Sequence, residues 1–96
     1  MKYDSIIYLI GLGIFDIFKE NLKNRKENHI PSIILESLDY IFEKGEILKE
    51  IQRYNNFIQT FDDIGGIDII RDLENHHSQS VYEESLKLLD KFNLVD

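Results

Sequence analysis

The sequence predicts an all-α protein, a right-handed stack of short and long helices built as about two three-helix repeats. Three observations lead there. Apolar residues recur at steps of three and four, the helical period, and hardly ever alternate as in a strand. One Pro and five Gly in 96 residues leave room for long helices. The order helix, Gly break, short helix, polar turn, long helix occurs twice along the chain.

Met1–Gly11 carries Ile6, Ile7, Leu9 and Ile10 and reads as the end of a helix, stopped near Gly11–Gly13. Ile14–Leu22 is a short helix with Ile14, Ile17, Phe18 and Leu22 on one side and Phe15 beside them. Lys23–Asn28 (KNRKEN) is a charged turn, and Lys23, Arg25 and Lys26 read as a solvated loop. A long helix follows, with Pro31 in its first turn, where proline is tolerated. Ile34, Leu38, Ile41 and Phe42 form its core stripe, which Ile33 and Leu35 are expected to widen. Glu36, Asp39 and Glu43 face away from the centre of that stripe. Gly45 reads as a C-cap, and Glu46–Tyr54 either extends the helix or begins another.

Asn55–Asn56 is the next break, followed by a short helix with Phe57, Ile58, Phe61 and Ile64 at three- and four-residue steps. Gly65–Gly66 ends it. Ile67–Glu74 should bury Ile67, Ile70 and Leu73, and Asn75–Ser78 is a turn. The last helix should bury Val81, Ser85, Leu88, Leu89 and Phe92. Ser80 and Glu83 have capping-box spacing, with Ser78 as the rival N-cap. Glu83, Lys87 and Lys91 share its exposed face.

Ninety-six residues make one domain, residues 1–96, which the sequence divides into an earlier repeat (1–46) and a terminal repeat (47–96). The net charge of −7 excludes nucleic acid as the main partner, because phosphate binding needs a basic surface. Asp62–Asp96 holds nine acidic and three basic side chains, so it carries about −6, whereas the preceding residues hold nine and eight. The acidity therefore belongs to the terminal unit, either as a solvated polar cap or as a docking face for a basic surface. Without cysteine there is no disulfide and no thiolate metal site. Ile6–Phe18 is too short to span a bilayer and contains Asp16, and it lacks a small-residue cleavage site. The expectation is a soluble chain that is not membrane-bound.

Two internal matches define the repeat. Leu12-Gly13-Ile14-Phe15-Asp16-Ile17 aligns with Gly65-Gly66-Ile67-Asp68-Ile69-Ile70, and Glu36-Ser37-Leu38 aligns with Glu84-Ser85-Leu86. The offsets are 53 and 48, which gives the earlier unit a longer turn. Three-helix units of roughly forty residues describe an armadillo array.

Three stretches resemble the C-terminal end of importin-α (karyopherin-α), the adaptor for classical nuclear localisation signals. They are Tyr8-Leu9-Ile10 through Gly13 to Leu22, the long helix ending in Lys44-Gly45-Glu46, and Gly66-Ile67-Asp68 through Leu73-Glu74-Asn75-His76 to Val81-Tyr82-Glu83. The resemblance covers nearly the whole chain and rests on joint order and spacing. It implies a non-enzymatic protein-binding module of nucleocytoplasmic transport, found in cytoplasm and nucleus, that docks the export receptor CAS and a nucleoporin. Asp68, Asp72, Glu74, Glu83 and Glu84 are the candidate partner-binding residues.

The departures are specific. The family reads localisation signals with Trp-x-x-x-Asn pairs on third helices, and this chain has no Trp; Glu36 and Tyr40 stand at those positions. The resemblance therefore implies no cargo recognition by that mechanism. The importin-β-binding segment has no match in these residues either. An apolar face around Ile6, Ile10, Ile17 and Ile33, left without a preceding repeat, is expected to promote self-association. A free-standing helical interaction module unrelated to transport is the second reading.

Catalysis and cofactors are not expected. His76-His77 beside Glu74 lacks a further ligand set and does not share a helix face. Asp62-Asp63 sits at a helix end without a companion nucleophile. Neither Gly11-x-Gly13 nor Gly65-Gly66 has the pattern of a phosphate loop. The tyrosines at 3, 8, 40, 54 and 82 read as core and rim residues.

Overall fold

Two glycines with the same left-handed backbone set the plan of the molecule. Gly13 (φ 94°) and Gly65 (φ 81°) lie 52 residues apart, and each joins a first short helix to a second. A side chain at such a φ meets its own backbone, so glycine is the residue that makes this turn cheaply. The computed structural model describes residues 3–24, 26–76 and 78–95. Helices α1 (Tyr3–Gly11), α2 (Ile14–Leu22) and α3 (His29–Gln52) form a first triad. Helices α4 (Asn56–Asp63), α5 (Gly66–Asp72) and α6 (Gln79–Lys91) form a second, with a 3₁₀ turn at Leu73–Asn75. The fold is all-α and armadillo-like, and none of these helices is long and apolar enough to cross a membrane.

Burial fixes the repeat register. Five buried residues of α3, Ile34, Leu38, Ile41, Phe42 and Gly45, repeat on the last helix as Val81, Ser85, Leu88, Leu89 and, at its end, Phe92, each 47 residues on; Pro31 and Leu35, also buried on α3, correspond to the half-buried Ser78 and Tyr82. The sequence-based offsets of 53 and 48 are therefore each one too large. Gly65, not Gly66, takes the conformation of Gly13, and Ser85 fills the place of Leu38. Matching Glu-Ser-Leu tripeptides aligned letters, whereas the core aligns faces. The five-residue difference between 52 and 47 is taken up by α2 and its exit turn.

Four phenylalanines link the triads. Phe15 of α2 meets Phe61 of α4 edge-on at 5.0 Å between ring centres, Phe61 meets Phe42 of α3 at 6.0 Å, and Phe42 meets Phe92 at 5.7 Å. Phe42 and Phe61 are fully buried. Each such pair adds about 0.5–1.5 kcal/mol beyond the burial of its area. Every apolar residue expected in the core of the last helix is buried there, as are Ile67, Ile70 and Leu73.

Three expectations change. Gly45 is not a C-cap: α3 runs through it to Gln52, so the division expected at 46/47 falls inside a helix. The helical break lies at Arg53–Asn55, where Arg53 takes the left-handed C-cap conformation (φ 71°). Gly45 is a notch for Asn55, whose side chain lies where a Cβ would be, 2.0 Å from Oδ1. From there Asn55 accepts hydrogen bonds from the N–H groups of Phe57 and Ile58, capping α4, and donates to the Phe42 carbonyl at 2.8 Å. Ile33 does not widen the core stripe, because it is exposed while Leu35 is buried. Ile6, expected on an open face, is fully buried, whereas Ile17 is exposed.

Polar contacts fasten the triads at their ends. Lys19 of α2 donates to the Ile64 carbonyl at the end of α4 (2.9 Å), satisfying one of the acceptors a helix terminus leaves open. His76 is buried in the turn before α6. Its Nδ1 accepts from the Ser78 N–H at 3.0 Å, which leaves Nε2–H to donate to the Asn24 carbonyl of the first triad at 3.3 Å. Ser78 is the N-cap of α6, accepting from the Val81 N–H, so the Ser80–Glu83 box is not formed.

Candidate interaction surfaces

The third helices of the two triads lie side by side and run parallel. Ser32 donates to Glu84 (3.2 Å) and Lys91 reaches Asp39 (2.8 Å); both pairs are 52 residues apart, so seven residues along α3 match seven along α6. Between these helices runs an open groove of about 540 Å³, lined by Ser32, Ile33, Glu36, Glu84, Lys87 and Lys91 among others. Its floor is mixed: Leu35 and Leu88 below, carboxylates and lysines at the rim. At its far end Lys91 also meets Glu43 at 3.0 Å. Its hydrogen bonds to Asp39 and then Glu43 hold its pKa above the ordinary lysine value.

The five acidic residues expected to bind a partner do not form one cluster. Asp68 and Asp72 lie one turn apart on α5, the first paired with Arg71 (3.1 Å) and the second accepting from Asn75 (3.4 Å). Glu74 is exposed in the 3₁₀ turn. On α6, Glu83 is exposed and accepts from Gln79 (3.0 Å), while Glu84 is half-buried and points into the groove toward Ser32. Thus Glu84 belongs to the α3–α6 groove. The feature the sequence did not flag is the stripe opposite the core on α3, where Ile33, Tyr40, Ile47 and Ile51 are exposed. The signal was present as a second apolar periodicity on the same helix.

Of the residues weighed for chemistry, Asp62 and Asp63 are exposed at the end of α4. His77 lies outside the described residues, as does Arg25 of the basic turn. Among the described residues no three His, Asp or Glu side chains converge as a metal site. The arrangement offers grooves between parallel helices and a charged rim, which is the equipment of a binding surface.

Comparison with known proteins agrees with this geometry. The family described as the atypical Arm repeat matches residues 55–96, the second triad together with Asn55, its capping residue. A probable importin subunit alpha-A of Dictyostelium discoideum is 32% identical over 92 residues, covering 96% of this chain. The chain is an armadillo-repeat relative of importin-α. Importin subunit alpha-1b of Oryza sativa is 28% identical over 98% of this chain, and importin subunit alpha-4 of Arabidopsis thaliana 29% over 95%. The chain spans less than a fifth of the length of these relatives, 16–18%. No solved structure matches it. On this ground it is a helical-repeat protein-binding module related to importin-α.

Proposed function

We propose that this importin-α relative works in nucleocytoplasmic protein transport as a non-catalytic docking module, present in cytoplasm and nucleus. The observation that carries the reading is the pair of helix triads in series, with parallel third helices, in a chain that aligns with importin subunits along nearly its whole length. The export receptor CAS is the partner proposed, with a nucleoporin as a second. Asp68, Asp72, Glu74 and Glu83 are the contact residues on the outer surface, and Glu84 is the contact residue in the groove. A net charge of −7 concentrated in the second triad suits a basic partner surface and hastens encounter with it.

The test is capture of CAS by the purified chain with Ran loaded with GTP. Capture that weakens when Asp68, Asp72, Glu74 and Glu83 are reversed to Lys supports the reading. A folded chain that fails to capture CAS under any nucleotide state sinks it. Cargo recognition by Trp-x-x-x-Asn pairs is not part of this function, since Glu36 and Tyr40 stand at those positions and the chain has no Trp. Self-association through the α1–α2 surface, where Ile7, Tyr8, Leu12 and Ile17 are exposed, completes the proposal. It predicts a concentration-dependent mass in sedimentation that Ile17→Glu reverses; a monomer at all concentrations removes it.

A further inference from the structure

The fold leaves the spacing Ser80-x-x-Glu83 unused. Ser78 caps α6 instead, and no hydrogen bond among the described residues engages the Ser80 hydroxyl. Ser80 is exposed in the first turn of the helix. Glu83 is exposed one turn on, accepting from Gln79 at 3.0 Å, and Glu84 follows it directly. A hydroxyl with one carboxylate three residues on and another behind it is what a protein kinase with a basic substrate cleft selects, because lysines and arginines of such a cleft pair with those carboxylates. The surrounding charge agrees. Residues 72–86 contain Asp72, Glu74, Glu83 and Glu84 and neither Lys nor Arg. A kinase that reads arginine ahead of its target finds His77 at the third position upstream.

One other hydroxyl has this spacing, and the structure separates the two. Thr60 has Asp63 three residues on. Its hydroxyl donates to the Asn56 carbonyl at 2.8 Å, and it stands in the last turn of α4, where the helix end is negative and a phosphate is repelled. At Ser80 the field has the opposite sign. A phosphate adds about −1.5 to −2 charge, here at the N-terminus of a 13-residue helix. The leading N–H groups there, those of Gln79 and Ser80, have no carbonyl within the helix to pair with. That attraction offsets the repulsion from Glu83 and Glu84 at three and four residues. Ser78, in the same turn, is no substitute: its hydroxyl is the cap, and the buried Val81 stands three residues on.

We propose that Ser80 is a phosphorylation site for an acidic-directed serine kinase, with Glu83 as its specificity-determining residue. In the transfer the Ser80 oxygen attacks the γ-phosphorus of ATP. The new O–P bond forms as the bond from that phosphorus to the β,γ-bridging oxygen breaks. ADP leaves, and the hydroxyl proton passes to the carboxylate base of the kinase. The inference does not rest on the transport reading, and its test reads phosphate transfer alone.

The probe is casein kinase 2, an acidic-directed kinase, acting with Mg-ATP on the folded full chain. Intact mass should show a single added phosphate, and peptide fragmentation should place it on Ser80. Ser80→Ala, an exposed position whose loss leaves the fold intact, should abolish the incorporation. Glu83→Gln should lower kcat/KM about tenfold, the scale of one charge-assisted contact. Protein kinase A, which reads arginine upstream, should add nothing. The phosphorylated chain should melt within roughly 4 °C of the parent, since the helix end and the neighbouring carboxylates act in opposite directions. Phosphate on Thr60 or Ser78, full incorporation into Ser80→Ala, an unchanged rate with Glu83→Gln, or no incorporation beside a phosphorylated control peptide would overturn the proposal. So would a larger fall in melting temperature, because Ser80 would then be modified at the expense of the fold.

Discussion

Replacing Gly45 by Ala should destabilise this protein, although the same change in an ordinary exposed helix stabilises it. Ala in place of Gly within a helix is worth about 1 kcal/mol in intrinsic propensity. At Gly45, however, the new Cβ would lie 2.0 Å from Oδ1, 2.5 Å from Cγ and 2.7 Å from Nδ2 of Asn55. That side chain is short and held at both ends: it caps α4 through two N–H groups and donates to the Phe42 carbonyl. Pushing it out forfeits a cap of about 1 kcal/mol, up to 2, and a hydrogen bond of roughly 1 kcal/mol. It also strands a polar group that is buried in the parent. Set against the propensity gain, the net cost is about 1–2 kcal/mol, which lowers the melting temperature by roughly 4–16 °C for a domain of this size. In an Asn55→Ala background all three clashing atoms are gone, so Gly45→Ala should there raise the melting temperature by roughly 4–8 °C. Thermal and urea melts of the four proteins give the coupling directly. If Gly45→Ala stabilises the parent, or if its sign is unchanged by removing Asn55, the notch is not what keeps glycine at this position.

Three further outcomes are expected. Gly66→Ala would place a Cβ 2.4 Å from the Phe61 ring, which is fully buried between Phe15 and Phe42 and has nowhere to turn; the loss should be about 1–3 kcal/mol in a urea melt. Ser78→Ala should cost roughly 0.5–1 kcal/mol as a lost N-cap, while Ser80→Ala leaves the melt within about 0.5 kcal/mol of the parent; the reverse ranking would restore the capping box. Because Lys91 gains Asp39 and then Glu43 as partners, its pKa is raised on folding, so its contribution is fully present below the ordinary lysine value of 10.5 and is lost as pH climbs through the raised one. The group is half-exposed and screened, which keeps that contribution to a few tenths of a kcal/mol, about the value of a surface pair. Lys91→Met should therefore flatten the alkaline end of the stability profile relative to the parent, as melts between about pH 9 and 11.5 would register.

The interaction surfaces were only partly legible in the chain. Exposed acids can be read from a helical period, and Asp68, Asp72, Glu74 and Glu83 do lie at the surface. Glu84 differs because α3 lies beside it, a neighbour 52 residues away that no local pattern announces. The exposed stripe of α3 was hidden for the opposite reason. Ile33 looked like one more core residue until α2, α4 and α6 packed against the other sides of the helix.

By itself the sequence determined the helices and most of the core. Periodicity at three and four residues, with the Gly65 turn, located α2, α4, α5 and α6 to within a residue or two and named the buried set of α6 in full. Local free energies are enough for that, because a helix face and a left-handed turn are properties of a few consecutive residues. The tertiary structure alone decided three other matters. It made Gly45 a notch and not an end, because Asn55 from the next triad occupies the space. It set the repeat offsets at 52 and 47, because burial depends on which face meets which neighbour and not on matching letters. And it left one side of α3 apolar and open, because a long helix has more than one face and only packing determines which of them the fold covers.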